Sequence, residues 1–273
     1  MKPDKSDRYA HITGRCFINA PFEQLQSGLL DLFLAYRLQP EIGLEGNCLW
    51  DLEDTKFLKI AALLHQHNLS CTLHAPFCDL APGGLDPKIR EVTREKLRRA
   101  FNLIPVFHPK SIVCHLGYDE DKHSYKMEEW LRHSLDTWRE LIVFAEQHNT
   151  CVMFENTYET TPDIHFRLFE DIPSSHLRFC LDTGHLMAYA GTTWQLWLDA
   201  LLPKLGQLHL HDNKGKRDDH IAIGHGRFDF VSLFSFLQDK RISPLVTLEP
   251  HSEEDLWLSL ETIESLHLFE FLP

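Results

Sequence analysis

Six short apolar runs in this chain end on a histidine, aspartate or glutamate. They are Ser70-Cys-Thr-Leu-His74, Ser111-Ile-Val-Cys-His115, Cys151-Val-Met-Phe-Glu155, Arg178-Phe-Cys-Leu-Asp182, Gly206-Gln-Leu-His-Leu-His211 and Leu245-Val-Thr-Leu-Glu249. Several imidazoles together with carboxylates suit Zn, Mn, Fe or Co better than Ca or Mg, because nitrogen ligands favour borderline metals. The densest stretch runs from Gln207 to Gly226. His209 and His211 are two apart on a predicted strand and so project to one face. Asp218 and His220 follow in a loop long enough to fold back over that face. Asp182 and His185 are three residues apart across a strand-to-loop turn. Ala75-Pro76 ends the strand that carries His74.

Stretches of four to six apolar, β-branched-rich residues read as buried parallel strands, and their last residues sit where the chain leaves the core. The pattern predicts strands near 14–18, 40–45, 70–74, 111–115, 151–155, 177–182, 206–211 and 244–249. Helices lie between them. In 91–107, Leu97, Ala100, Phe101, Ile104 and Phe107 recur at helical steps, and 126–148 repeats the pattern from Trp130 to Ala145. Asp51 or Asp54 is expected to cap the helix reaching His67, with Asn68 at its end. Asp86-Pro87 is expected to open the next helix. Eight strands and eight helices predict an α/β fold, a (β/α)8 TIM barrel with a metal site at its C-terminal mouth. A doubly wound sheet would need a Gly-rich turn after the first strand, and Asn19-Ala20-Pro21-Phe22 is not one.

A lone strand-end histidine is more often a hydrogen-bonded mouth residue than a ligand. Six strand ends of one barrel converge, and the convergence favours the ligand reading. Asp212 and Asn213 could form only an Asx turn. His65, His67, His108, His123, His133, His148, His165 and His176 fall on helices or their ends and are expected at the surface. The chain of 273 residues, 43% hydrophobic and 25% charged, is expected to form a single soluble domain over 1–273, with 1–10 as a flexible extension. No apolar run reaches the roughly 18 residues that span a bilayer. Seven cysteines without paired spacing and a polar N-terminus point to a cytoplasmic protein. The net charge of −13 disfavours a nucleic-acid partner, which Lys and Arg would have to hold. The tail Leu266–Leu272 could pack against the barrel or against a second subunit of a homo-oligomer.

His74-Ala-Pro, His115-Leu-Gly-Tyr, Phe154-Glu155-Asn156, Leu181-Asp-Thr-Gly-His185, His209-Leu-His-Asp-Asn, Asp218-Asp-His220 and Leu248-Glu249-Pro250 resemble the xylose isomerase-like barrel superfamily. That group includes sugar isomerases and epimerases and the endonuclease IV type of DNA-repair enzyme. The resemblance covers about residues 70 to 250. Its epimerase branch implies one divalent ion, usually Mn, Mg or Co, on Glu155, Asp182, His209 and Glu249. Its trinuclear zinc branch implies a larger set, adding His74, His115, His185, Asp218 and His220.

The leading expectation is therefore a metal-dependent sugar or sugar-phosphate isomerase or epimerase holding one to three ions (Mn, Zn, Co or Mg). Glu155 and Glu249 would form the proton-exchanging pair. His185, Arg217, Trp50 and Phe77 are the expected substrate contacts, and Tyr118 and Tyr158 are further loop residues of interest. The alternatives are a zinc phosphodiesterase acting at abasic sites and a metal-dependent barrel acting on a non-sugar substrate. Against the phosphodiesterase, the repair enzymes' Gly-x-His-Val-Ser-type motif is replaced by Gly14-Arg-Cys-Phe-Ile-Asn19. Their DNA-inserting loop is replaced by Glu45-Gly-Asn-Cys-Leu-Trp50.

Overall fold

The computed structural model describes residues 5–272, with side chains from Arg8 onward. Eight parallel strands close into a barrel in sequence order. They are β1 (Phe17–Pro21), β2 (Gln39–Gly43), β3 (Thr72–His74), β4 (Ser111–His115), β5 (Cys151–Glu155), β6 (Leu177–Asp182), β7 (Leu205–Leu210) and β8 (Leu245–Leu248). Closure comes from the pairing of Phe17 and Ile18 on β1 with Thr247 and Leu248 on β8. One helix or more follows every strand, including Asp54–Gln66, Pro87–Phe101, Met127–Gln147 and Glu253–Ser265.

The apolar faces of these helices pack on the outer faces of the strands. In Met127–Gln147 that face is Trp130, Leu131, Trp138, Leu141, Ile142 and Ala145, all buried. Asp86 opens its helix as expected, accepting hydrogen bonds from the Lys88 and Ile89 amides, with Pro87 in the first turn. Asn68 ends its helix in the left-handed region at φ 53°. The caps expected from Asp51 or Asp54 do not form: Glu53 precedes the helix, and no side chain caps it.

Several other expectations are corrected. The first strand starts at Phe17 rather than near 14, because a helix over Lys5–Thr13 occupies the preceding chain and Gly14 closes it onto Ala10. That helix covers residues 5–10 of the expected extension, with Tyr9 buried; residues 1–4 lie outside the described residues. His133 and His165 are buried rather than superficial. His165 contacts the Glu155 carbonyl at 3.2 Å, and burial pushes its pKa down to about 4. Of the tail, Leu268, Phe269 and Leu272 bury against the chain's own barrel, held by Arg15 through the carbonyls of Phe269 and Leu272. Among the described residues no helix is long and apolar enough to cross a membrane.

Beneath the mouth the barrel interior is polar. Oε2 of Glu41 on β2 accepts hydrogen bonds from Thr72 (2.7 Å), Gln207 (2.7 Å) and Thr247 (3.1 Å), while Ser111 donates to Gln207 at 2.6 Å. One carboxylate thus ties β2, β3, β7 and β8 together below the strand ends.

Candidate metal centre

Strand geometry explains the convergence of the mouth residues. His74, His115, Glu155 and Asp182 are the last residues of β3, β4, β5 and β6, His209 is next to last on β7, and Glu249 follows β8. Parallel register aligns them: His115 pairs with Glu155, and Asp182 pairs with His209. Glu155 is the hub. Its Oε2 lies 3.2 Å from Nε2 of His74 and 2.9 Å from Nε2 of His115. Its Oε1 lies 3.0 Å from Nδ1 of His209 and 3.3 Å from Nδ1 of His185. Nδ1 of His209 also lies 3.1 Å from Oε1 of Glu249 and 3.8 Å from Oδ2 of Asp182.

Five carboxylates, of Glu41, Glu155, Asp182, Asp218 and Glu249, therefore meet here with side chains no more than 14% exposed. Burying that many acceptors is costly unless cations accompany them. In the structure the imidazoles supply the positive charge. Burial works against a proton on His74, but the hydrogen bond and charge of Glu155, with the charge of Glu41, outweigh it and lift the pKa to about 9. His220 likewise reaches about 9 against its burial, through Asp218 and Glu249. On His115 burial wins, and the ring stays neutral with a pKa near 4. Burial would raise Glu155, but His209 and His115 hold it well below the carboxylate range. Glu249 is raised, chiefly by burial, against the pull of His209.

The donor set fits divalent ions on two observations. First, several histidines turn one nitrogen to a fixed acceptor and the other to carboxylates, as metal-bound imidazoles do. Nδ1 of His74 donates to the Ala75 carbonyl at 3.0 Å, Nδ1 of His185 to the Asn156 carbonyl at 3.0 Å, and Nδ1 of His220 to the Glu249 carbonyl at 3.0 Å. Second, two polar atoms that face each other are buried without a hydrogen-bond partner, Nδ1 of His211 and Oδ1 of Asp218. Trios able to hold an ion are His74, His115 and Glu155; Glu155, Asp182 and His209; Glu41, His209 and Glu249; Asp182, His211 and Glu249; and His211, Asp218 and His220.

The comparisons with known proteins bear on the fold that carries these residues. Residues 40–267 match the family described as the xylose isomerase-like TIM barrel. The chain belongs to that family. It is 26% identical over 232 residues to protein MJ1311 of Methanocaldococcus jannaschii, covering 82% of this chain and 78% of that relative. The crystal structure of a D-tagatose 3-epimerase-like protein superposes with a TM-score of 0.80 at 22% identity, covering 92% of this chain and 97% of the other. The TTHB071 protein from Thermus thermophilus, soaked with ZnCl2, superposes at 0.78 with 21% identity, covering the same shares. Membership of the xylose isomerase-like TIM barrel family accounts for the closed parallel barrel.

All nine expected ligand positions lie at the mouth, as do two of the four expected substrate contacts, Phe77 and His185. Phe77 stacks on His115 at 4.3 Å between ring centroids. Arg217 and Trp50 do not reach the cavity: Arg217 is 85% exposed beside Asp219, and Trp50 lies under the Arg99 guanidinium, 4.7 Å away. Tyr118 is buried against Trp130, whereas Tyr158 lines the cavity. Sequence reasoning missed Glu41, because Gln39-Pro-Glu-Ile-Gly43 is not an apolar run with a polar end. It also missed the work of Asp212, whose carboxylate accepts from five backbone amides, those of Asn213, Gly224, Gly226, Arg227 and Phe228. Those bonds fold the loop that delivers Asp218 and His220.

Proposed function

We propose that this chain is a divalent-metal-dependent isomerase or epimerase acting on a neutral carbohydrate, exchanging a proton at the carbon next to a carbonyl. The observation that carries the reading is the pair Glu155 and Glu249, opposed across His209 at the floor of a cavity of about 710 Å³. Glu155, Asp182, His209 and Glu249 are the residues that would hold the ion. When bound, it supplies Lewis-acid polarisation of a carbonyl and its neighbouring hydroxyl.

The chain's own groups divide the proton work. In the metal-free chain burial raises Glu249 above its ordinary value, while His209 and His115 hold Glu155 well below its own. Two carboxylates whose environments push their pKa values apart form an acid and base pair. No lysine or arginine is among the described residues that line the cavity. This favours a neutral sugar over a sugar phosphate, since phosphate recognition ordinarily draws on those side chains. Phe77, Tyr158, Tyr189 and Trp257 line the walls, giving the apolar faces on which a sugar ring can lie. The similarity to the D-tagatose 3-epimerase-like structure supports this class of substrate.

A second reading, phosphodiester hydrolysis by a metal cluster, draws on one observation. Glu155 offers its other oxygen to His74 and His115, so the donor set extends beyond a single ion. The absence of basic residues from the described cavity lining weighs against a nucleic-acid backbone as substrate.

The deciding experiment incubates protein reloaded with Mn2+, Co2+ or Zn2+ with a ketose and aldose panel in D2O. Deuterium at carbon, absent in Glu249→Gln, is the expected result. A panel without exchange, together with cleavage of an abasic-site duplex, would establish the second reading instead.

A further inference from the structure

We propose that the substrate is a carbohydrate bearing an uncharged aromatic group at the end of its carbon chain away from the carbonyl. That group lies in a separate arm of the cavity, between the helices that follow β1 and β8. The inference rests on the reading of the mouth as an isomerase or epimerase centre and adds a substrate class to it.

One cavity of about 710 Å³ holds both the strand-end carboxylates and imidazoles and a wall that no strand end supplies. That wall is Leu29, Leu32, Phe33 and Tyr36 on the helical stretch after β1, with Leu256 and Trp257 on Glu253–Ser265 after β8. β1 and β8 are the strands whose pairing closes the barrel, so the arm leaves the mouth at the closure seam. On the first stretch the apolar residues recur at steps of three and four, which puts them on one helical face. The stretch is broken at Gly28, where φ is 125°, one residue before the arm begins. Glycine alone adopts that conformation readily. The two helices meet where Tyr36 and Trp257 pack edge to face at 5.7 Å between ring centroids. Leu32 on the outer wall is still 42% exposed, so the described side chains do not fill the arm.

The mouth and the arm differ in chemistry. Side-chain polar atoms on the six arm residues are confined to the Tyr36 hydroxyl and the Trp257 indole, and the indole N–H donates to Oε1 of Glu253 at 2.9 Å. A sugar hydroxyl placed there would give up hydrogen bonds to water and regain few. An aromatic ring gives up none, and Phe33, Tyr36 and Trp257 offer it stacking and edge contacts. Glu253 is among the described lining residues and no lysine or arginine is, so the group is not an anion. The carbonyl and its neighbouring hydroxyl belong at Glu155 and Glu249, which leaves the opposite end of the chain to enter the arm. The whole volume falls in the roughly 300–1,000 Å³ range of sites for drug-sized molecules, more than one sugar ring needs.

Calorimetry on protein reloaded with Mn2+ tests this by comparing each ketose of the panel with its benzyl ether at the terminal hydroxyl. At least one benzyl ether should bind about 10- to 100-fold more tightly than its parent, the effect of burying one aromatic ring. Leu32→Asp sets a charge beside that ring and should remove most of the preference. Should it fail to fold, as judged by circular dichroism, Leu32→Ser should show the same direction of change. Equal affinities for ethers and parents, or no binding of either, overturn the inference, even where the parents exchange deuterium and the isomerase reading stands. A preference that the folded Leu32 variants keep overturns it too. A preference lost in those variants, with no exchange in any ketose, upholds the aromatic arm and overturns the isomerase reading instead. A wild-type dimer that Leu32→Asp splits, without any preference for the ethers, gives the arm to a second copy of the chain.

Discussion

Oε1 of Glu41 lies 2.9 Å from Nε2 of His209, below the ring of residues at the strand ends. The contact orients the imidazole so that Nδ1 turns up toward Glu155 and Glu249. A carboxylate behind a ligating histidine fixes the ring and raises its basicity, and such partners are typically worth 10- to 100-fold in metal affinity. Glu41→Gln should therefore weaken binding of the ion held by Glu155, Asp182, His209 and Glu249 by about 10- to 100-fold. Zinc competition against a chromophoric chelator measures it, with stoichiometry at saturation unchanged.

Glu249→Gln keeps the shape of the side chain but removes its capacity to exchange a proton. General acid–base groups contribute on the order of 10²- to 10⁴-fold. A fall of that size in deuterium exchange, with zinc still bound through Glu155, Asp182 and His209, is the expected outcome. Loss of zinc in parallel with loss of exchange would assign Glu249 a ligand role alone.

Glu159 is buried close to the centre, its Oε2 accepting from the Thr157 amide at 2.8 Å and its Oε1 without a partner. Burial raises its pKa to about 7 from an ordinary 4.5. The folded state therefore holds this proton more tightly than the unfolded chain. Its contribution to stability is fully present below pH 4.5 and is lost as pH rises through 7, a change on the order of 3 kcal/mol. Urea unfolding of the metal-free protein at pH 5 and pH 8 should show less of this decline in Glu159→Gln than in the wild type.

Asp212→Ala strands five amides that now donate to one carboxylate. Unsatisfied buried groups cost about 1–3 kcal/mol each, and the loop will relax to recover some of them in water. A loss of about 3 kcal/mol is expected, with faster proteolysis between Asn213 and Phe228. Asp218 and His220 ride on this loop, so the zinc content of the reloaded protein should fall as well. Limited proteolysis and elemental analysis of the same sample check both.

The mouth was legible where chemistry coincides with strand ends. His74, His115, Glu155 and Asp182 close four strands, and each stands out as the polar end of an apolar run. Glu41 was not legible, because it sits in mid-strand beside a proline. Nothing local marks it as the acceptor for three side chains from three other strands. His165 and His133 misled for the converse reason: helical periodicity places a residue on a face, while burial depends on what packs against that face. Trp50 and Arg217 lie on loops flanking the expected site, but loop paths carry them away from the cavity.

The sequence by itself determined the barrel and the belt of nitrogen and oxygen donors at its mouth, since both follow from local period and strand length. Tertiary structure alone decided how those donors divide. Glu155 turns one oxygen to His74 and His115 and the other to His209 and His185. Asp218 turns Oδ2 to His185 and His220 and Oδ1 to His211. Those assignments depend on distances between strands far apart in the chain, set by barrel closure, and no local pattern encodes them.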